Sequence, residues 1–174
     1  MTKIKSLLFL LLLTAIAVKA QNLSIPCPCC TPEHRQFDFW LGSWMVYTSD
    51  TLAGTNNITL SQDSCLIIEH WKSARGKFTG TSYNFYDTGS GSWHQTWVDN
   101  QGGNLLLKGG FKDGKMVMTS EPAVDANGIP VINRITWTRI AGGHVRQVWE
   151  ISKNNGNSWV NIFDGLYMKK NPGN

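Results

Sequence analysis

The residues whose types and spacing could do chemistry are few: four cysteines, four histidines and a thin scatter of acids. Cys27-Pro28-Cys29-Cys30 is followed by His34, and Cys65 stands alone. In an oxidising compartment four cysteines pair as disulfides, with three possible connectivities. Adjacent Cys29 and Cys30 do not readily bond to each other, because the vicinal geometry is strained. The expectation is a bond from Cys27, Cys29 or Cys30 to Cys65. The competing chemistry is a soft-metal site in which Cys27, Cys29, Cys30 and His34 supply thiolates and an imidazole. C-x-C-C followed by C-x3-H is not a standard zinc spacing, so no metal ligand is assigned. A thioredoxin-like redox role fits worse, since that motif belongs to a βαβ setting. His34, His70, His94 and His144 do not pair at metal spacing. Among the acids, Glu69 shares a strand face with Cys65, Ile67 and Trp71, and Asp99 shares one with Trp93, Gln95 and Trp97. Arg146 and Glu150 read as a surface ladder. The chain has no nucleophile elbow, no Gly-rich phosphate loop and no paired-histidine motif. No catalytic residue is named and no cofactor is expected.

These residues are carried by strands. Helical periodicity is nearly absent, and short runs rich in β-branched and aromatic residues alternate with Gly, Asn and Asp. The runs lie near Trp44–Ser49, Asn57–Ser61, Cys65–Lys72, Lys77–Tyr86, Ser92–Asp99, Asn104–Phe111, Lys115–Glu121, Val131–Arg139, His144–Ser152 and Ser158–Met168. Asp113-Gly114, Asn100-Gln101-Gly102-Gly103 and Asn154-Asn155-Gly156-Asn157 are among the turns between them, rich in residues that tolerate positive φ. The expected fold is all-β: one antiparallel up-and-down barrel of about ten strands, closed because closure removes sheet edges. Gln95-Thr96-Trp97 and Gln147-Val148-Trp149 place the same pair at i and i+2 in two strands, on one face each. With Glu69 and Trp71 they form the candidate ligand-binding set: Glu69, Trp71, Gln95, Trp97, Gln147 and Trp149. The same residues could instead pack against one another in a filled core.

The N-terminal 20 residues read as a signal peptide: Lys3 and Lys5, an apolar run from Leu7 to Ala17, then Val18 and Ala20 before the cleavage point. The run is too short to span a bilayer, so no stable membrane insertion is expected after cleavage. Loss of Lys3, Lys5 and Lys19 leaves 13 basic against 12 acidic residues, where the full chain has 16 against 12. No basic run remains to follow phosphates, so nucleic acid is not an expected partner. Residues 21–36 form a Cys/Pro-rich arm, with helical turns expected from Thr31 as N-cap through Pro32 to Leu41. Residues 37–170 form the barrel domain. All eight tryptophans follow the signal segment, a composition that suits broad side chains packed on a pleated surface.

The segment FDFWLGSWMVY (Phe37 to Tyr47) resembles the opening of bacterial calycin-like proteins of the DUF1579 type. The likeness continues through GKFTGTSYNFYD, WHQTWVDNQGG, NRITWTRI, VRQVWEIS and FDGLYMKK. It implies a calycin-type, lipocalin-like barrel and no particular reaction. Gly42-Ser43-Trp44 looks like the G-x-W that opens the first lipocalin strand, where the Trp plugs one end of the barrel beneath a basic side chain. Lys169, Lys170 and Arg146 are the candidates for that partner. Haem-binding barrels of the same neighbourhood use a strand histidine as axial ligand, a place only His70 or His94 could fill.

The expected function is that of an exported protein, periplasmic or secreted, binding a small apolar or amphipathic molecule inside the barrel. The alternatives are an enzyme acting on a small molecule in that cavity and an envelope interaction module with a filled core.

Overall fold

The computed structural model describes residues 27–125 and 127–170. The expected signal segment and the first part of the arm, residues 21–26, lie outside the described residues.

Eleven strands follow in order: β1 (Gly42–Thr48), β2 (Thr51–Ser61), β3 (Leu66–Ser73), β4 (Thr79–Asp87), β5 (Ser92–Asp99), β6 (Asn104–Lys112), β7 (Lys115–Thr119), β8 (Ala123–Val124), β9 (Pro130–Arg139), β10 (Val145–Ser152) and β11 (Val160–Lys169). Each strand from β1 to β6 pairs antiparallel with the next, β7 pairs with β9, β9 with β10 and β10 with β11. The ring closes where β1 pairs with β11, Trp44 opposite Lys169 and Tyr47 opposite Leu166. Ten strands thus make a closed barrel. The two-residue β8 pairs with Val131 and Pro130, ahead of the part of β9 that β7 uses. Among the described residues no helix is long and apolar enough to cross a membrane.

Turn chemistry explains the meander. Asp113 and Gly114 both have positive φ, which suits the tight twist of the two-residue β6–β7 hairpin. Ser49 and Asp50 do the same between β1 and β2 without a glycine. That concealed turn is why β2 begins at Thr51 rather than near Asn57: Leu52-Ala53-Gly54-Thr55-Asn56 has weak strand propensity and takes its place through register with β1 and β3.

One end of the barrel is sealed by the arm. Its helical content is two short 3-10 turns, Glu33–Arg35 and Asp38–Trp40. Thr31 does not cap the backbone as expected; its hydroxyl meets His34 Nδ1 at 2.9 Å. The turns deliver Phe37 and Trp40 into the barrel end, where both are fully buried. Phe37 stacks on Trp40 at 4.8 Å and meets Trp93 and Trp137 edge-on at 5.6 and 5.2 Å. The Trp44 indole N–H donates to Trp40 O at 2.8 Å. The basic side chain over Trp44 is Lys169, whose Nζ lies 4.1 Å from the ring centroid and donates to Leu41 O at 2.7 Å. Gly42, at φ 129°, makes room for it: a Cβ there would lie 2.6 Å from Lys169 Nζ.

Two disulfides fix the arm. Cys29–Cys65 ties it to the β2–β3 turn, and Cys27–Cys30 closes a small loop within it. Every thiol that the soft-metal alternative required is therefore oxidised. His34 is buried, with its ring edge-on to Tyr86 at 5.2 Å.

Candidate functional site

Above the sealed end the barrel changes character twice. First comes a buried polar belt. Asn56 on β2, Glu69 on β3, Ser82 and Asn84 on β4, Gln95 on β5 and Gln147 on β10 all point inward and are buried. Their register places them side by side: Glu69 lies opposite Ser82, and Asn84 opposite Gln95. Gln95 Nε2 donates to Asn84 Oδ1 at 2.7 Å, and Asn84 Nδ2 to Ser82 Oγ at 2.9 Å. Ser82 Oγ donates to Glu69 Oε2 at 2.5 Å, and Asn56 Nδ2 to Glu69 Oε1 at 2.6 Å. Tyr167 on β11 donates its hydroxyl hydrogen to Gln147 Oε1 and accepts from Asn56 Nδ2 at 3.3 Å. Burial raises the Glu69 carboxyl to about 6, while the Ser82 and Asn56 donors hold it back from rising further. Burial pushes the Tyr167 phenol well above its ordinary range, with the Glu69 charge adding to the effect.

Above the belt lies a cavity of about 780 Å³. It is bounded near its mouth by residues of the β1–β2 and β3–β4 connections and by Asp99 at the end of β5, opposite the arm. All six residues singled out from the sequence line it: Glu69, Gln95 and Gln147 at the belt, and Trp71, Trp97 and Trp149 in the walls. Leu105, Ile135 and Phe163 add apolar wall. Glycines seat two of the indoles. A Cβ on Gly80 would collide with the Trp97 ring, and one on Gly54 would come within 2.7 Å of the Trp71 ring. The missing side chains let each indole lie back against the neighbouring strand, which widens the cup. Trp149 is fixed by its indole N–H donating to Asn133 Oδ1 at 2.9 Å.

Other candidates fall elsewhere. His70 is exposed, with Nδ1 3.2 Å from Thr81 Oγ1, and His94 stacks on Phe85 at 5.3 Å. Neither lines the cavity, so neither is placed to hold a haem there. Asp99 reaches the cavity, but its carboxylate accepts the Gln101 and Gly103 backbone N–H groups at 2.8 and 2.9 Å, and these bonds lower its pKa. It serves the turn. The ladder residues Arg146 and Glu150 pair across strands rather than with each other: Arg146 with Asp164, and Arg134 with Glu150 at 2.9 Å. Among the described residues the lining contains no histidine and no cysteine.

Asn56, Ser82, Asn84 and Tyr167 were not anticipated from the sequence. For Tyr167 the available signal was parity, since it follows Phe163 and Gly165 at steps of two; for Ser82 and Asn84 parity misleads, because it favours Tyr83 and Phe85 as the inward face, whereas both are exposed.

Fold and site together define a closed β-barrel with one end plugged and the other hollowed into an aromatic cup over a polar floor. In comparisons with known proteins the chain matches no family model and no curated protein sequence.

Proposed function

We propose that this protein is an exported carrier or sensor that holds one small apolar or amphipathic molecule in the barrel cup. The observation that carries this reading is the contrast between a cavity of about 780 Å³ and an opposite end packed solid with aromatic rings. Apolar walls with a few convergent polar groups are the usual form of a small-ligand site. Trp71, Trp97 and Trp149 supply flat apolar surface, and Glu69, Gln95 and Gln147 orient one polar end. Two disulfides fit folding in an oxidising compartment, in keeping with the signal-like N-terminus. The likeness to DUF1579-type calycin-like proteins bears on the barrel alone and names no ligand.

The test is purification from the native host followed by organic extraction and mass spectrometry. A stoichiometric small molecule should be recovered, and adding it back to stripped protein should change tryptophan emission as water leaves the indoles. Protein that carries nothing, and whose emission is indifferent to apolar and amphipathic compounds alike, would defeat the carrier reading. An interaction module working through its outer face would behave in that way.

A further inference from the structure

The floor of the cup is mismatched in a way that specifies what should sit on it. Glu69 is buried, yet the groups that reach it are the Asn56 amide and the Ser82 hydroxyl; no cationic side chain pairs with it among the described residues. Each carboxylate oxygen accepts one hydrogen bond and keeps spare lone-pair capacity. Gln95 spends its amide nitrogen on Asn84, which leaves its carbonyl oxygen free to accept. Against these acceptors the floor offers one amide donor, Gln147 Nε2, because Tyr167 occupies the Gln147 oxygen. The charges that line the cavity lean the same way: Glu69, Asp99 and Asp164 against Arg75, which is exposed. Asp164 is already paired with Arg146.

A buried carboxylate without a cation is costly, and the cost is relieved when a cation joins it with good hydrogen bonds. An entering anion would meet Glu69 instead. Indole rings in the walls add favourable sites for a positive charge or a planar body. We propose that the cup takes its occupant amine-first: a small amphipath whose buried end is a protonated amine or similar cationic donor received by Glu69, with its apolar body against Trp71, Trp97 and Trp149. This rests on the reading of the cup as a ligand site and deepens it by naming the head group.

Three probes of one size separate the possibilities: 1-naphthylmethylamine (cationic), 1-naphthalenemethanol (neutral) and 1-naphthoate (anionic), each titrated calorimetrically into the purified protein at pH 8. The amine should bind about tenfold or more tighter than the alcohol, with naphthoate weakest. In Glu69→Gln the amine should lose that advantage. The wild-type protein supplies a second test that needs no variant. Facing Glu69 are Asn56 from β2, Ser82 and Asn84 from β4 and Tyr167 from β11, whose phenol stays neutral in this range. Asp99 and Asp164, held below their ordinary values, stay ionised. Lowering the pH from 8 to 5 should therefore cut the amine-to-alcohol preference about tenfold, as protonation of Glu69 competes with the amine. Equal binding of amine and alcohol, or an amine preference untouched by both Glu69→Gln and pH, would overturn the head-group assignment and leave the cup intact as a site. Failure of all three probes to bind or to alter tryptophan emission would overturn both.

Discussion

The two ends of this barrel use the same residue for opposite purposes. Trp40, Trp44, Trp93 and Trp137 at the sealed end are at most 2% exposed and touch one another or Phe37. Trp71, Trp97 and Trp149 at the other end stand around an empty centre. The strand residues of both sets follow the same inward parity. What differs is what enters from outside the strands. The arm pushes Phe37 and Trp40 into one end; at the other, Gly54 and Gly80 draw indoles back against the wall. Tryptophan is therefore a filler where other elements converge on it and a wall where they do not.

Substitutions should break this symmetry of composition. The largest effect is expected for Trp137→Ala, about 3–5 kcal/mol of stability by urea unfolding, since a fully buried ring leaves a cavity behind. Trp97→Ala should cost less than half as much, because its neighbourhood is already open; equal losses would erase the distinction between plug and wall. Next comes the staple. Cys29→Ser with Cys65→Ser should lower stability by about 2–4 kcal/mol in thermal melts, and Cys27→Ser with Cys30→Ser by less, because its loop is far shorter. Matching losses from the two pairs would mean that the arm is held by its aromatic contacts and not by the bond to Cys65.

The belt between the two ends should register in a pH series. Folding raises Glu69 to about 6 from 4.5, so the folded chain takes up this proton more readily than the unfolded one. The stabilisation is fully present below about pH 4.5 and is lost as the pH rises through 6, an effect of about 2 kcal/mol. Unfolding free energies of wild type and Glu69→Gln should diverge over that window; parallel curves would show the belt to be wetter than its geometry implies. The smallest change is expected for Lys169→Met, about 1 kcal/mol, from loss of the contact over Trp44 and the bond to Leu41 O.

Much of this contrast was legible in the sequence, and the limits are physical. Alternation sufficed to place Gln95 with Trp97 and Gln147 with Trp149 on common faces, because side-chain direction in a strand is strictly periodic. Glycine-bearing turns such as Asp113-Gly114 marked strand ends well. The start of β2 was hidden because Ser49 and Asp50 adopt left-handed conformations without advertising them. With it went Asn56, which lay just outside the expected strand. Nothing local marks Ser82 and Asn84 as interior, because polar residues in a strand ordinarily face water, and only the cross-strand partners Glu69 and Gln95 make them so. Whether the centre was empty or filled depended on long-range packing that no local pattern encodes.

The pairing of β1 with β11 has a consequence for how the molecule is made. Strands β1 to β7 can zip in sequence, each beside its predecessor, but the ring stays an open sheet with two bare edges until Val160–Lys169 is available to join Gly42–Thr48. That last seam links the parts of the barrel farthest apart along the chain, and contacts of that kind form slowly. Cys29 and Cys65, by contrast, are only 36 positions apart, and both are present once β1 and β2 exist. The covalent staple can therefore set the arm before the seam closes, so that Phe37 and Trp40 are already in position when the last strand wraps around them.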